Sequence, residues 1–241
     1  MKRQLVNLMG FGIDTFDFDN AIKYAVELME NRIGGQIVTI NPEMIENARK
    51  NKDFAKVIND AQLVIPDGIG VKIGLKMKGY KNIERIAGVE FAYYLIKECE
   101  TNNFSVAMVG ARPHVISEAA KNIQAKMPRL KIVYTHNGFF SDDERVLQEI
   151  KQKNPRLILV ALGSPKQEHF INRLKELLPN AVMIGVGGSF DVWSGYVQRA
   201  PEIYQKLGLE WLYRTVKEPK RFKRIFPTLP NFLLHVLISK K

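Results

Sequence analysis

The sequence predicts an α/β fold: a mostly parallel sheet with helices on both faces, followed by a C-terminal helical appendage. Three observations point there. Short apolar runs (Gln36–Ile40, Leu63–Ile65, Ser105–Val109, Leu157–Leu162, Ala181–Val186) alternate with segments of helical periodicity. The runs are apolar almost throughout rather than at every second position, which implies strands covered on both faces, the habit of parallel sheets. Around residue 195 the alternation stops, and Pro201–Ile238 holds only helix-like pieces. A Rossmann-like core over 1–195 and an appendage over 196–241 follow from this break.

Taken in order, Gln4–Met9 predicts a first strand. Asp19 or Asn20 predicts the cap of a helix carrying Ile22, Ala25, Val26 and Met29 on one face, ended by Gly34-Gly35. Gln36–Ile40 is a β-branched strand, and Asn41-Pro42 is a good cap and first-turn pair for the helix behind it. Leu63–Ile65 is a strand halted by Pro66, which cannot donate to a sheet ladder. Gly68–Lys78 reads as a helix weakened by three glycines. Gly88–Glu100, Pro113–Met127 and Asp142–Lys153 read as helices, and Ser105–Val109, Lys131–Tyr134 and Leu157–Leu162 as the strands between and after them. Pro165 opens a helix to about Leu178, and Ala181–Val186 is one more strand. Gly208, Pro219, Pro227 and Pro230 are expected to divide the appendage.

With 241 residues, 46% of them hydrophobic, the chain can bury a substantial core. Cys99 is the one cysteine, so neither an internal disulfide nor a cysteine-rich zinc site is expected. The basic start Met1-Lys2-Arg3 is followed by a short apolar run that soon meets Asp14 and Asp17, which is not a secretory signal. No apolar run approaches the roughly 20 residues that span a bilayer. The net charge is +11, and residues 214–241 hold eight Lys and Arg against the single acid Glu218, so +7 of it lies there. Such an end points to an anionic partner: lipid headgroups, nucleic acid or a phosphorylated substrate. Nucleic acid is disfavoured, since no basic sheet face with interleaved aromatics and no recognition-helix motif is present.

Five polar clusters fall at predicted strand ends, at Thr39–Pro42, Pro66–Gly68, Gly110–Pro113, Leu162–Glu168 and Gly185–Asp191. In a parallel sheet they share its carboxyl edge, where glycine-rich turns and helix N-termini offer N–H groups to anions. A pyrophosphate carrying a base and a sugar fits such an edge. Gly185-Val186-Gly187-Gly188 is not a full dinucleotide fingerprint, because Phe190 stands where the last glycine would be. Asp67, presented between Pro66 and Gly68, is a candidate general base or else a helix cap. Asp17-Phe18-Asp19 matches a metal–nucleotide pattern, but its place before a helix favours capping. His114, His136, His169 and His235 show no ligand spacing, so no essential metal and no cofactor are expected. A departing diphosphate then needs cationic side chains. Arg85 is one, and Arg214, Lys217, Arg221 and Arg224, spaced along one helical face but interrupted by Pro219, are others.

Several blocks together resemble the WecG/TagA/CpsF glycosyltransferases, and the TagA-type branch most. They are Thr39-x-Asn41-Pro42, Pro66-Asp67-Gly68, Glu84-Arg85-x-x-Gly88, Gly163–Glu168, Gly187-x-Ser189-Phe190-Asp191, Arg199-Ala200-Pro201, Gly208–Trp211 and Glu218-Pro219-x-Arg221, in order over nearly the whole chain. The resemblance implies an inverting, metal-independent transfer of N-acetylmannosamine from a UDP donor to N-acetylglucosamine on undecaprenyl diphosphate, as in the teichoic acid linkage unit. A donor carrying the uronic acid of that sugar is the related alternative. It implies Asp67 as base, Thr39, Asn41, Arg85 and Gln167 around the sugar and diphosphate, and Lys166, Gly187 and Ser189 assisting with UDP. Without the resemblance Gln167 would read as an exposed first-turn residue. An acceptor held in a bilayer implies action in the cytoplasm at the inner face of the plasma membrane. The appendage, with its cations beside Trp211, Phe222, Ile225, Phe226, Leu229, Phe232, Leu233, Val236 and Leu237, suits an interfacial segment or else a core-packing cap. Docking is expected to bring Arg214, Arg221 or Arg224 over the diphosphate. The same surface also suits a second subunit, making a homo-oligomer an open alternative. A nucleotide-binding module without chemistry is the remaining rival.

Overall fold

A computed structural model describes the backbone at residues 1–206, 208–217 and 219–239, and the side chains there except at 206, 214, 215, 217 and 219–226. Six strands form one parallel sheet: β3 (Gly35–Ile40), β4 (Leu63–Pro66), β5 (Ser105–Gly110), β6 (Lys131–His136), β7 (Leu157–Ala161) and β8 (Val182–Gly185), in the spatial order β4-β3-β8-β7-β5-β6. Successive side chains of a strand point to opposite faces, and both faces are buried in every strand but the edge strand β6. Ile37, Ile65, Met108, Leu159 and Ile184 enter one layer with α1 (Phe18–Glu30), α5 (Gly88–Thr101) and α6 (Pro113–Lys126). Val38, Ile40 and Val64 enter the opposite layer with α2 (Pro42–Lys50), α3 (Lys52–Asn59) and α4 (Ile69–Met77). Farther along that face, Val109, Val160 and Met183 pack with α7 (Asp143–Lys153) and α8 (Lys166–Leu177). The uninterrupted apolar runs are therefore strands sandwiched between helices, as the sequence predicts.

Three local expectations are corrected. The first strand is half of a hairpin, β1 (Leu5–Leu8) with β2 (Phe11–Asp14), separate from the main sheet. Met9 and Gly10 turn it with φ of 57° and 90°, the mirror-image turn that suits a twisted hairpin. Asp14 ends this hairpin as a buried carboxylate, bound by Arg3 Nε and Nη2 at 2.8 Å each and accepting the Val64 N–H at 2.8 Å, so it covers part of the β4 edge. The cap of α1 is Asp17, whose carboxylate accepts the Asn20 N–H at 2.8 Å, two or three residues earlier than expected. Phe18 then opens the helix and packs edge-on to Phe91 and Tyr94.

The glycines expected to weaken the helix after Asp67 have a packing reason. A Cβ on Gly70 would lie 2.7 Å from Leu229, and one on Gly74 would lie 3.0 Å from Phe232. Those partners belong to α12 (Pro219–Ile238), the last of three appendage helices after α10 (Glu202–Lys206) and α11 (Glu210–Lys217); the short α9 (Ser189–Trp193) precedes them. α12 is not divided at Pro227 or Pro230, which lie inside it. Both prolines are exposed, on the side of the helix away from the core. Burial of Phe232 and Val236 against the α2–α4 layer holds the helix, and His235 meets Glu46 of α2 at 3.0 Å.

Candidate active site

β3 and β8 are neighbours in the sheet but far apart in sequence. The chain leaves β3 for the edge strand β4, whereas it reaches β8 from β7, on the other side. The loop after β3 leads into α2 on one face of the sheet and the loop after β8 into Phe190, packed with α6 on the other, so the two loops diverge and a crevice opens at the carboxyl edge between them. There lies a cavity of about 510 Å³, walled by residues that follow β3, β4, β7 and β8 and, from the appendage, by Gly208, Glu210, Trp211, Thr228 and Leu229.

Asp67 is on this wall. Its N–H pairs with the Ile40 carbonyl at 2.8 Å, so the residue extends the β3–β4 ladder by one step, and Gly68 (φ 83°) then turns the chain into α4. The carboxyl is set deep in the fold and keeps a partial opening to the cavity. Burial pushes its pKa up to about 6; the Arg85 guanidinium and the Gly88 and Gly68 N–H groups oppose the rise, and the Glu210 carboxylate adds to it. Gly88 sits tightly between Thr39 and Asp67, since a Cβ there would be 3.0 Å from Thr39 Cγ2 and 3.2 Å from Asp67 Oδ2. Asp67 is thus not the simple cap of α4, where Gly68 is the capping residue and no side chain bonds to the helix end. A base must be deprotonated to act, so turnover is expected to climb with pH through about 6 and level off above it. Measuring kcat/KM between roughly pH 4.5 and 8.5 checks this, and a flat profile would remove Asp67 as the base.

Thr39, Asn41, Arg85, Gln167, Gly187 and Ser189 all share the cavity with Asp67. Asn41 also caps α2, accepting the Met44 N–H at 3.0 Å. Arg85 is brought in by the Ile86 N–H bond to the Pro66 carbonyl (2.9 Å), and its Nη2 donates to the Gln205 carbonyl at the end of α10 (3.0 Å). Gln167 is buried, not exposed, with its Oε1 accepting the Gly187 N–H at 3.2 Å. The Ser189 hydroxyl turns back to the Val186 carbonyl at 2.7 Å. Lys166 is not brought to the cavity: its exposed ammonium lies 5.3 Å over the Phe140 ring. The side chains of Arg214, Arg221 and Arg224 fall outside the described residues, although their helices are described. Asp17 and Asp19 do not wall the cavity, and among the described residues no cluster of His, Cys, Asp or Glu could hold a metal.

Sequence reasoning assigned no role to Ser164, Glu210 or Thr228 and gave Trp211 to an interfacial segment, yet all four wall the cavity. The signal for Ser164, Glu210 and Trp211 lay in the Gly163–Glu168 and Gly208–Trp211 blocks; Thr228 lies in none of the blocks. Arg199 links this part of the appendage to the core, with Nη1 2.9 Å from Glu90 of α5 and Nη2 3.5 Å from Glu210.

Residues 6–241 match the family model described as "Glycosyl transferase WecG/TagA/CpsF family". A Bacillus subtilis (strain 168) protein named N-acetylglucosaminyldiphosphoundecaprenol N-acetyl-beta-D-mannosaminyltransferase is 37% identical over 213 residues, 88% of this chain and 83% of the relative. A Bacillus spizizenii (strain ATCC 23059 / NRRL B-14472 / W23) protein of that name is 36% identical over 209 residues, covering 87% and 81%. A third of that name, from Staphylococcus aureus (strain MW2), is 32% identical over 232 residues, covering 93% and 91%.

Proposed function

The chain belongs to the WecG/TagA/CpsF family of glycosyl transferases, and from that premise we propose that it moves N-acetylmannosamine from UDP-N-acetylmannosamine to N-acetylglucosamine borne on undecaprenyl diphosphate. The relatives' names support both the sugar and the acceptor. The observation that carries the chemistry is Asp67, a carboxylate of raised proton affinity opening onto a cavity at the carboxyl edge of the sheet, with a guanidinium beside it.

In the transfer, an Asp67 carboxylate oxygen takes the proton of the acceptor hydroxyl as that oxygen attacks the anomeric carbon of the donor. The bond from that carbon to the diphosphate breaks, its electron pair leaves with UDP, and attack from the opposite face inverts the configuration. The charge that grows on the diphosphate is met by Arg85, by N–H groups of the turn after β8 and by Gln167, all on the cavity wall. The donor sugar lies against Thr39 and Asn41.

The appendage, 196–241, serves in this reading as the membrane-facing unit. Ile203, Val216, Leu237 and Ile238 are each about 70% exposed or slightly more (71%, 74%, 68% and 69%), in the segment that also carries most of the net charge. Apolar side chains among cations suit the headgroup boundary, where each cation contributes about 1 kcal/mol on anionic lipid. Among the described residues no helix is long and apolar enough to cross a membrane, so attachment would be peripheral. Arg214, Arg221 and Arg224 are the cations we assign to the acceptor or lipid phosphates, with the site at the inner face of the plasma membrane.

The test is UDP release from UDP-N-acetylmannosamine with and without undecaprenyl-diphosphate-linked N-acetylglucosamine in anionic vesicles. Release that requires the acceptor and yields the lipid-linked disaccharide is expected, and it should persist in a chelator. UDP binding without turnover on this acceptor would replace the reading by a nucleotide-binding module.

A further inference from the structure

Next to Gln167 stands a carboxyl that does not wall the cavity. Glu168 is 2% exposed, its Oε1 accepts from Gln167 Nε2 at 2.8 Å, and its Oε2 has no hydrogen-bond partner among the described residues. A charged residue this far from water is costly to keep, so its place calls for a function. Gln167 is itself 6% exposed and is held at both ends of its amide: Oε1 receives the Gly187 N–H and Nε2 donates to Glu168. A glutamine amide can turn end for end with little change of shape. The two partners demand the same orientation, a donor on one side and an acceptor on the other, and so remove the ambiguity. One N–H of Nε2 then remains for the cavity that Gln167 lines. Gly185 completes the seat, since a Cβ there would fall 2.4 Å from Nε2 and 2.8 Å from Cδ.

We propose that Glu168 is a positioning residue for the transfer: it holds the Gln167 amide so that a donor N–H, and not the carbonyl oxygen, meets the diphosphate of the nucleotide sugar. This rests on the UDP-sugar reading above. An amide turned the other way would set its oxygen against phosphate oxygens and leave the Gly187 N–H facing another donor. Burial pushes the Glu168 carboxyl pKa up, with smaller opposing contributions from Gln167, Ser164 and its own N–H.

Calorimetric titration with UDP tests the proposal on the intact chain, with thermal midpoints recorded for every variant. Gln167→Leu removes a hydrogen bond to a charged group and should weaken UDP binding about tenfold or more. Glu168→Leu should cause a similar loss, and the double variant should lose no more than either single one, because both changes remove the same oriented N–H. Glu168→Gln keeps an acceptor oxygen for Gln167 Nε2 and should restore binding to within about threefold of wild type. Gly185→Ala, at a φ open to alanine, displaces the amide by a second route and should reproduce the Gln167→Leu loss even where Glu168→Leu fails to fold. Wild-type affinity in Glu168→Leu, losses that add in the double variant, or full affinity in Gly185→Ala would overturn the positioning role. Failure of the wild-type chain to bind UDP would instead sink the donor assignment, and the positioning role with it.

Discussion

Asp67→Asn is expected to lower turnover by about 10²–10⁴-fold, the usual contribution of a positioned general base. The amide keeps the size of the carboxylate but cannot take the acceptor proton. UDP affinity should stay close to wild type, because the diphosphate is met by Arg85, Gln167 and backbone N–H groups. A second effect runs the other way. The folded-state value of Asp67, about 6, lies above the 3.8 of a free carboxyl. The folded protein therefore holds this proton more tightly than the unfolded chain. The resulting stabilisation is present in full below the unfolded value and is lost as pH rises through about 6. At neutral pH the protein carries a buried charge at a cost that the Asn variant avoids. The variant should be more stable at pH 7.5 by on the order of 1 kcal/mol, with the difference closing as pH falls below the free carboxyl value. Single-turnover rates, UDP calorimetry and melting curves at two pH values read all three effects. Near-normal turnover in Asp67→Asn would dismiss this side chain from the chemistry.

Phe232→Ala carries the largest expected effect on stability. Phe232 is fully buried, its ring fits against the bare backbone of Gly74, and Val236 lies beside it in the same cluster. Truncating a buried phenylalanine to alanine costs about 3–5 kcal/mol, a large share of the stability of an ordinary domain. Thr228 and Leu229, one turn earlier on the same helix, wall the cavity. Loosening the helix should therefore reduce turnover at temperatures where the core still folds, with the Arg199 and Arg85 contacts among the remaining ties between appendage and core. Urea unfolding followed by fluorescence, with turnover measured alongside, checks both. An unchanged midpoint would show that the last helix contributes nothing to the stability of the core.

Much of the fold was legible because its signals are local. Asn41-Pro42 is a cap wherever a helix follows it, and Asn41 does cap α2. Leu157–Ala161, buried at every position, reads as a strand covered on both faces before any neighbour is known. The hairpin return at Phe11–Asp14 was not legible, since Met9-Gly10 lacks the Asn-Gly or Asp-Gly pair that announces such a turn. For the cap of α1 the expectation at Asp19 or Asn20 lay two or three positions late, while the capping reading of Asp17-Phe18-Asp19 holds at Asp17, which accepts the Asn20 N–H; Asp17, Asp19 and Asn20 are all competent caps. Gly70 and Gly74 looked like a weakness in a helix, and Pro227 and Pro230 looked like breaks. Neither appearance could be judged without the partner helix, whose side chains need the space the glycines leave and whose buried anchors outweigh the missing N–H groups.

The sequence alone determined the layered α/β architecture, the strand ends where polar residues collect and the kinship that names the chemistry, because periodicity, capping and motif order are properties of neighbours along the chain. Tertiary structure alone decided that Asp67 is set deep enough to hold its proton to about pH 6, that Gln167 is locked between Gly187 and Glu168, and that the last helix closes the cavity rather than trailing from it. Desolvation, amide orientation and the seating of a ring on a glycine all depend on atoms distant in sequence and adjacent in space, and no local pattern encodes them.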